Sequence, residues 1–92
     1  MQRAAIDPDF PNILRSLNLK ITPKRLALLN ILMNESSYLS PEEIWSKMKK
    51  QFRRIGLPTI YRILEELSER DVVSKVTLFE ESLERQFYHL RN

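Results

Sequence analysis

Residues 57–67 read LPTIYRILEEL, and this stretch decides the fold. Its apolar residues recur at i, i+3, i+4 and i+7, the spacing of one buried face of an α-helix. These residues are Ile60, Ile63, Leu64 and Leu67. Successive helical residues are turned by about 100°, so Tyr61 lies off the apolar stripe and Arg62 lies nearly opposite it. A helix that enters a DNA groove uses both types, the guanidinium on base edges or phosphates and the ring on thymine methyl groups.

Both outward-facing residues also have a simpler interpretation. Tyr61 could be a half-buried surface tyrosine, because single exposed aromatic residues are common on soluble proteins. Arg62 could pair with Glu66, four residues further along, which stabilises a helix by roughly a few tenths of a kcal/mol. The helix by itself therefore leaves both DNA contact and ordinary surface positions open.

The composition describes one small globular domain. The chain has 92 residues, of which 42% are hydrophobic and 29% charged, a balance typical of folded rather than disordered proteins. It contains no cysteine, which excludes disulfides and thiolate metal ligands. The first residues lack the apolar run of a signal peptide, and no stretch approaches membrane-spanning length. We therefore expect a cytoplasmic location and no membrane partner.

Charge is unevenly divided along the chain. The formal net charge is +3, but residues 1–64 hold 11 Lys and Arg against 5 Asp and Glu, whereas residues 65–92 hold 4 against 7. The basic part contains Tyr61 and Arg62, which suits a polyanionic partner. A basic run also precedes their helix: Lys47, Lys49, Lys50, Arg53 and Arg54. Such a run is usually a solvated face, but its place before this helix predicts phosphate contacts for some members.

Helix start signals divide the first half of the chain. Residues 1–10 show no regular pattern and are expected to form an irregular arm, followed by a short helix over 11–17. Thr22-Pro23 and Ser40-Pro41 each combine an N-cap hydroxyl with proline at the first helical position. Glu43 stands at the capping-box position relative to Ser40. We expect one helix to begin at each signal, before the helix of residues 57–69.

The end of the chain predicts strands. Residues 72–79 and 83–90 are rich in β-branched and aromatic residues and are joined by a short polar link, the pattern of a hairpin. Three to four helices followed by a two-stranded antiparallel wing describe a winged helix-turn-helix, a mainly α fold with a small β-hairpin. We assign this domain to residues 11–92.

Three blocks in order and spacing resemble the ferric uptake regulator (Fur) family: Thr-Pro-Lys-Arg at 22–25, Leu-Ser-Pro-Glu-Glu-Ile at 39–44 and Leu-Pro-Thr-Ile-Tyr-Arg at 57–62. The resemblance runs from about Leu14 to Leu90 and covers the family's N-terminal, DNA-binding half. It implies a metal-responsive transcription regulator, usually a repressor, that dimerises through a C-terminal α/β domain. We expect that second domain to be absent here. A homodimer, and a complete site for iron, zinc or manganese, are then expected only of a longer protein.

The resemblance also implies roles for individual residues. Tyr61 and Arg62 match the pair that contacts bases of A/T-rich operators in the major groove, and Thr59 matches a threonine within reach of phosphate. Lys20 matches a basic residue that reaches into the minor groove, and Arg25 matches an arginine that contacts the DNA backbone or packs. The complete set of predicted DNA-binding residues is Lys20, Thr22, Arg25, Lys50, Arg53, Arg54, Pro58, Thr59, Tyr61 and Arg62.

Departures from the family pattern concern the metal site and one turn. Tyr38 stands where family members commonly have a metal-binding histidine, and tyrosine is a poor ligand for these divalent metals. His89 matches an acidic ligand late in the second wing strand, but a single histidine binds metal weakly. His89 is therefore a candidate metal ligand or an ordinary strand residue. Asp71 replaces a glycine at the end of the 57–69 helix, where aspartate tolerates the left-handed conformation.

Three classes of function can be compared. An enzyme is not predicted, because one histidine, no cysteine and no glycine-rich phosphate loop leave no catalytic constellation. A winged helix can serve as a protein-interaction module, since fold alone does not dictate function. The motifs favour the third class, a sequence-specific domain that binds double-stranded DNA. In this interpretation the helix over 57–69 reads the major groove, Lys20 reaches the minor groove, and the basic turn and the wing hold phosphates.

Overall fold

A computed structural model of the chain describes residues 8–91. Its elements are α1 (Phe10–Ser16), α2 (Pro23–Met33), α3 (Pro41–Met48), α4 (Leu57–Glu69), β1 (Val73–Glu80) and β2 (Leu83–Leu90). The two strands pair antiparallel, with Val73 opposite Leu90 and Glu80 opposite Leu83. This arrangement confirms the predicted winged helix-turn-helix. Within residues 8–91 no helix is long and apolar enough to cross a membrane.

The first helix begins earlier than the sequence predicts. The Asp9 carboxylate accepts a hydrogen bond from the backbone N–H of Asn12 at 3.2 Å and caps the helix. Phe10 is helical, and its side chain is only 5% exposed. The expectation of an irregular arm is therefore wrong at Phe10, because burying this ring against the core stabilises the first helical turn. The rest of the predicted arm, residues 1–7, lies outside the described residues.

Both predicted start signals form caps. Thr22 Oγ1 accepts a hydrogen bond from the backbone N–H of Arg25 at 3.1 Å. Ser40 Oγ accepts one from the N–H of Glu43 at 3.1 Å, and the Glu43 carboxylate accepts one from the N–H of Ser40 at 2.7 Å. The second pair is a complete capping box. The caps fix where α2 and α3 begin, and both helix starts flank α4.

The end of α4 and the wing differ from the prediction by single residues. Asp71 has a φ of 62°, the left-handed conformation that the sequence predicts. The N–H of Val72 then bonds the carbonyl oxygen of Leu67 at 2.9 Å. Val72 therefore closes the helix instead of starting the strand. Glu81 and Ser82 both have positive φ, 47° and 71°, and form a two-residue hairpin loop, which leaves residue 80 within β1.

The apolar face of α4 lies at the centre of the core. Ile60, Leu64 and Leu67 are completely buried and Ile63 is 4% exposed. The buried core comprises Phe10, Leu14, Leu28, Leu29, Leu32, Leu39, Ile44, Met48, Ile55, Ile60, Ile63, Leu64, Leu67, Val73 and Tyr88. Because the helices and the base of the wing all contribute to this core, α4 is held rigidly while its other face stays open to solvent.

Leu39, between α2 and α3, forms an isolated antiparallel β-bridge with Tyr88 of β2. Its N–H bonds the carbonyl oxygen of Tyr88 at 2.9 Å, and the N–H of Tyr88 bonds the carbonyl oxygen of Leu39 at 2.7 Å. The Tyr88 side chain is fully buried at this point. Burial is the main cause that raises the pKa of Tyr88 to about 12.

We expect the free energy of unfolding to fall as the pH rises from about 10 towards 12. Tyrosine ionises near pH 10 in the unfolded chain, whereas the pKa of Tyr88 in the folded chain is about 12. Above pH 10 the unfolded state therefore loses its proton first, and the loss of stability reaches about 2 kcal/mol near pH 12. Urea denaturation across this range measures the effect. Tyr88→Phe should reduce the pH dependence, and an unaltered curve for this variant would contradict the assignment.

Candidate nucleic-acid interface

Tyr61 and Arg62 lie on the solvent side of α4. Tyr61 is 37% exposed and Arg62 is exposed, while the neighbouring Ile60 and Ile63 are buried. The helical spacing in the sequence predicts this division. The structure thus presents an aromatic ring and a guanidinium side by side on a rigid helix, an arrangement that suits base edges in a major groove.

Tyr61 also contacts the start of α3. Its hydroxyl donates a hydrogen bond to Glu42 Oε2 at 3.2 Å. Desolvation by burial and, after it, the Glu42 carboxylate raise the pKa of Tyr61 above its ordinary value. The hydroxyl therefore remains protonated near neutral pH and acts as a hydrogen-bond donor. A groove between α3, α4 and the wing runs past this contact and is lined by Ser40, Pro41, Glu42, Tyr61, Glu84, Arg85 and Gln86.

Arg62 opens onto a second groove, between α4 and the start of α2. This groove is lined by Thr22, Pro23, Lys24, Arg25, Phe52, Arg62, Ile63 and Glu66. The possible pair of Arg62 with Glu66 does not form, because the Glu66 carboxylate binds Arg25 at 2.8 Å. Within residues 8–91 Arg62 forms no salt bridge. Its guanidinium thus keeps its charge and its donors available to a ligand.

The same surface continues into the turn between α3 and α4. A neighbouring groove is lined by Lys24, Gln51, Phe52, Arg53, Arg54 and Ile55. Because Lys24 and Phe52 line both grooves, the two form one surface, which we call the basic groove and define by its exposed cations Lys24, Arg53, Arg54 and Arg62. Sequence reasoning missed Lys24. Its only signal is its position inside the Thr-Pro-Lys-Arg block.

Trp45 fixes the turn that carries these cations. Its indole Nε1 donates a hydrogen bond to the carbonyl oxygen of Ile55 at 2.8 Å, and Lys49 Nζ lies 4.0 Å from the centre of the indole ring. Trp45 therefore packs between α3 and the turn. Lys50 is exposed on the same turn.

The other predicted DNA-binding residues are placed differently. Lys20 and Pro58 are exposed, and Thr59 is half-buried. Thr22 and Arg25 reach the wall of the basic groove, but both are used inside the protein. The Thr22 hydroxyl caps α2, and the Arg25 side chain, 16% exposed, is paired with Glu66. Of the two roles that the sequence allows for Arg25, packing is the one the structure supports.

The positions implied as metal ligands are brought together at the base of the wing. The ring centroids of Tyr38 and His89 are 5.3 Å apart. His89 Nδ1 lies 3.0 Å from the carbonyl oxygen of Leu90, and Nε2 lies 3.2 Å from that of Glu35. In the part of the chain that the structure describes, no group of three His, Cys, Asp or Glu could hold a metal ion. The described residues alone therefore do not make up a metal centre, and the role of His89 as one ligand stays a prediction.

Comparisons with known proteins agree with the fold. The ferric uptake regulator family matches residues 16–91. The ferric uptake regulation protein of Bacillus subtilis is 42% identical over 64 residues, which are 68% of this chain and 43% of that protein. The protein of the same name from Vibrio cholerae O395 is 31% identical over 89 residues, 89% of this chain and 59% of that protein.

The fold of this chain is also similar to that of solved ferric uptake regulator structures. The crystal structure of the Vibrio cholerae ferric uptake regulator, which is described as having DNA-binding domains, matches with a TM-score of 0.73 and 26% identity over 91% of this chain and 63% of that chain. This chain thus spans 43% and 59% of the two curated relatives. The family consists of transcription regulators rather than enzymes, in agreement with the predicted class. The chain belongs to the ferric uptake regulator family and carries its winged-helix DNA-binding region.

Proposed function

We propose that this chain binds A/T-rich operator DNA sequence-specifically as the reading domain of a metal-responsive, cytoplasmic repressor. The observation that carries the proposal is the exposed Tyr61–Arg62 pair on α4, whose other face is buried in the core. Base readout requires donors held on a rigid element that fits a major groove. Arg62 would bind base edges bidentately, and Tyr61 would contact thymine methyl groups.

Phosphate contacts come from the basic groove on the side of α4 that Arg62 faces. Lys24, Arg53 and Arg54 are exposed there, and Lys50 lies on the same turn. Such contacts fix the register of a protein on the duplex without reading its sequence. Lys20 lies just before α2 and would enter the minor groove, and Thr59 near the start of α4 would reach a phosphate.

The tip of the wing is unsuited to holding phosphates. Glu80, Glu81 and Glu84 are all exposed there, with Arg85 as the one neighbouring cation. The proposal therefore assigns phosphate contacts to the basic groove and none to the wing tip. The exposed Phe79 and Leu83, 75% and 66% accessible, are the observation that favours the second candidate function, a protein-interaction module at the wing.

A single winged helix makes few contacts with DNA, so high affinity would require two copies on adjacent half-sites. We assign dimerisation, and the binding of iron, zinc or manganese, to the part of the longer relatives that this chain does not cover. The 92-residue chain alone should then bind DNA weakly and without metal.

Salt dependence tests the proposal. We expect the chain to enrich particular sequences from a pool of duplexes with a randomised centre, and the logarithm of its affinity to fall linearly with the logarithm of salt concentration. Four or five phosphate contacts would give a slope of roughly −4. Fluorescence anisotropy with labelled duplexes measures this slope. Absence of both enrichment and salt-dependent binding would reject DNA recognition and favour the protein-interaction module.

A further inference from the structure

Arg25 joins three parts of the surface that faces DNA in the proposed function. Its backbone N–H donates to Thr22 Oγ1. Its guanidinium Nη1 donates to the carbonyl oxygen of Lys20 at 3.0 Å, and Nη2 donates to Glu66 Oε1 at 2.8 Å. Lys20 precedes α2, whereas Glu66 lies on α4. One side chain therefore connects the segment proposed for the minor groove to the helix proposed for the major groove.

The guanidinium of Arg25 faces protein rather than solvent. The Arg25 side chain is 16% exposed and that of Glu66 is 36% exposed. Nε of Arg25 is buried and has no hydrogen-bond partner among the described residues. A phosphate contact needs nitrogens that point outward. Lys24 and Arg62, on the same groove, are exposed, and Arg25 is not.

Glu66 is an acidic residue on a surface that would meet a polyanion. Unpaired, its carboxylate would repel phosphates; paired with Arg25, its charge is neutralised in a partly desolvated place where screening by solvent is reduced. The planar guanidinium holds its donors at fixed angles. Movement of α4 relative to Lys20 would therefore break one of the two hydrogen bonds.

We propose that Arg25 and Glu66 are positioning residues, which hold the Lys20 segment and α4 at a fixed separation so that both grooves of DNA are read together. Glu66 also keeps the guanidinium of Arg25 away from phosphates. The pair thereby determines sequence preference without touching DNA. This inference rests on the proposed function.

The test compares affinity for the duplex selected by the wild-type chain with affinity for a mixed-sequence duplex of the same length. The ratio of the two affinities is the specificity ratio. We expect Arg25→Gln to lower this ratio roughly tenfold and to leave the salt slope on the mixed duplex unchanged. A phosphate contact would instead leave the specificity ratio unchanged and reduce the slope by about 1.

Glu66→Gln provides the reciprocal measurement. We expect it to lower the specificity ratio as much as Arg25→Gln does, and we expect the double variant to be no worse than either single variant, because the two residues act only as a pair. Glu69→Gln is the matched control: it removes the same charge from the same helix at an exposed position without a salt bridge in the described chain, and it should leave the ratio unchanged.

Arg25→Lys separates charge from geometry. Lysine keeps the charge but lacks the planar guanidinium with its several N–H donors, so Arg25→Lys should lower the specificity ratio as Arg25→Gln does. A wild-type ratio in Arg25→Lys would overturn the proposal. Urea denaturation of each variant, carried out at the temperature of the binding assay, shows whether the variant is folded there. The specificity ratios are compared only among variants that are folded. If the wild-type chain binds no duplex, the proposed function fails. If it discriminates and Arg25→Gln keeps the full ratio, only the positioning role fails.

Discussion

Replacing Arg62 by alanine is expected to weaken binding to the selected duplex by roughly tenfold to a hundredfold, and to relax base preference at the position that Arg62 reads. A bidentate contact with a base discriminates by about 1–3 kcal/mol, which corresponds to this range. The effect should be large because Arg62 has no salt bridge within residues 8–91, so its full hydrogen-bonding capacity is available to DNA. Tyr61→Ala should also weaken binding, most strongly to sites that contain thymine.

Arg91→Ala is the matched control for this experiment. Arg91 is exposed and pairs with Asp71 at the C-terminal end of α4, so the variant removes one positive charge from the other end of the helix. It should change affinity only slightly and leave base preference intact. Equal losses in Arg62→Ala and Arg91→Ala would mean that only net charge matters. If a variant that carries both Arg62→Ala and Tyr61→Ala kept the wild-type base preference, major-groove reading by α4 would be refuted.

Leu64→Ala is expected to remove a large part of the stability of the domain. Leu64 is fully buried on the core face of α4. Leucine-to-alanine changes at such positions cost about 2–5 kcal/mol, through lost burial and the cavity that remains. Domains of this kind have about 5–15 kcal/mol in total. The melting temperature should fall by roughly 8–40 °C, since each kcal/mol shifts it by about 4–8 °C at this size.

Leu83→Ala makes the same chemical change on the wing, where Leu83 is 66% exposed. It should alter the free energy of unfolding by no more than about 0.5 kcal/mol. Thermal melts followed by circular dichroism measure both variants. A fall of the same size in both would show that the core is not organised around α4 as described.

Local signals account for the parts of the fold that the sequence predicts. The apolar spacing of 57–67, the Ser40–Glu43 capping box and the strand composition of the wing each involve residues a few positions apart, and all three appear in the structure. The predicted start of α1 is late because the weight of the Asp9 cap becomes clear only with the burial of Phe10 in the core, which the sequence does not show. The prediction of a strand at Val72 is wrong because strand propensity does not reveal that the N–H of Val72 closes α4.

Contacts between distant residues account for what could not be predicted at the site. Arg25 and Glu66 are 41 residues apart, and nothing in the helical pattern of either segment indicates that they meet. For the same reason the sequence alone allows a pair of Glu66 with Arg62, which the contact with Arg25 replaces. The contact of Tyr38 with His89 joins the connection between α2 and α3 to strand β2. Only the family resemblance predicts that both positions belong to one metal site.

The hydrogen bond from Trp45 to Ile55 has a consequence for the entropy of binding. It closes the connection between α3 and α4 across ten residues, and Lys50, Arg53 and Arg54 lie within that span. Fixing the backbone of each residue in a free loop costs roughly 1–2 kcal/mol of conformational entropy. Here the turn is ordered when the chain folds, so its cations are already in place before they bind a polyanion. Little of the electrostatic attraction is then lost to freezing the turn, and a few charges suffice for a measurable affinity.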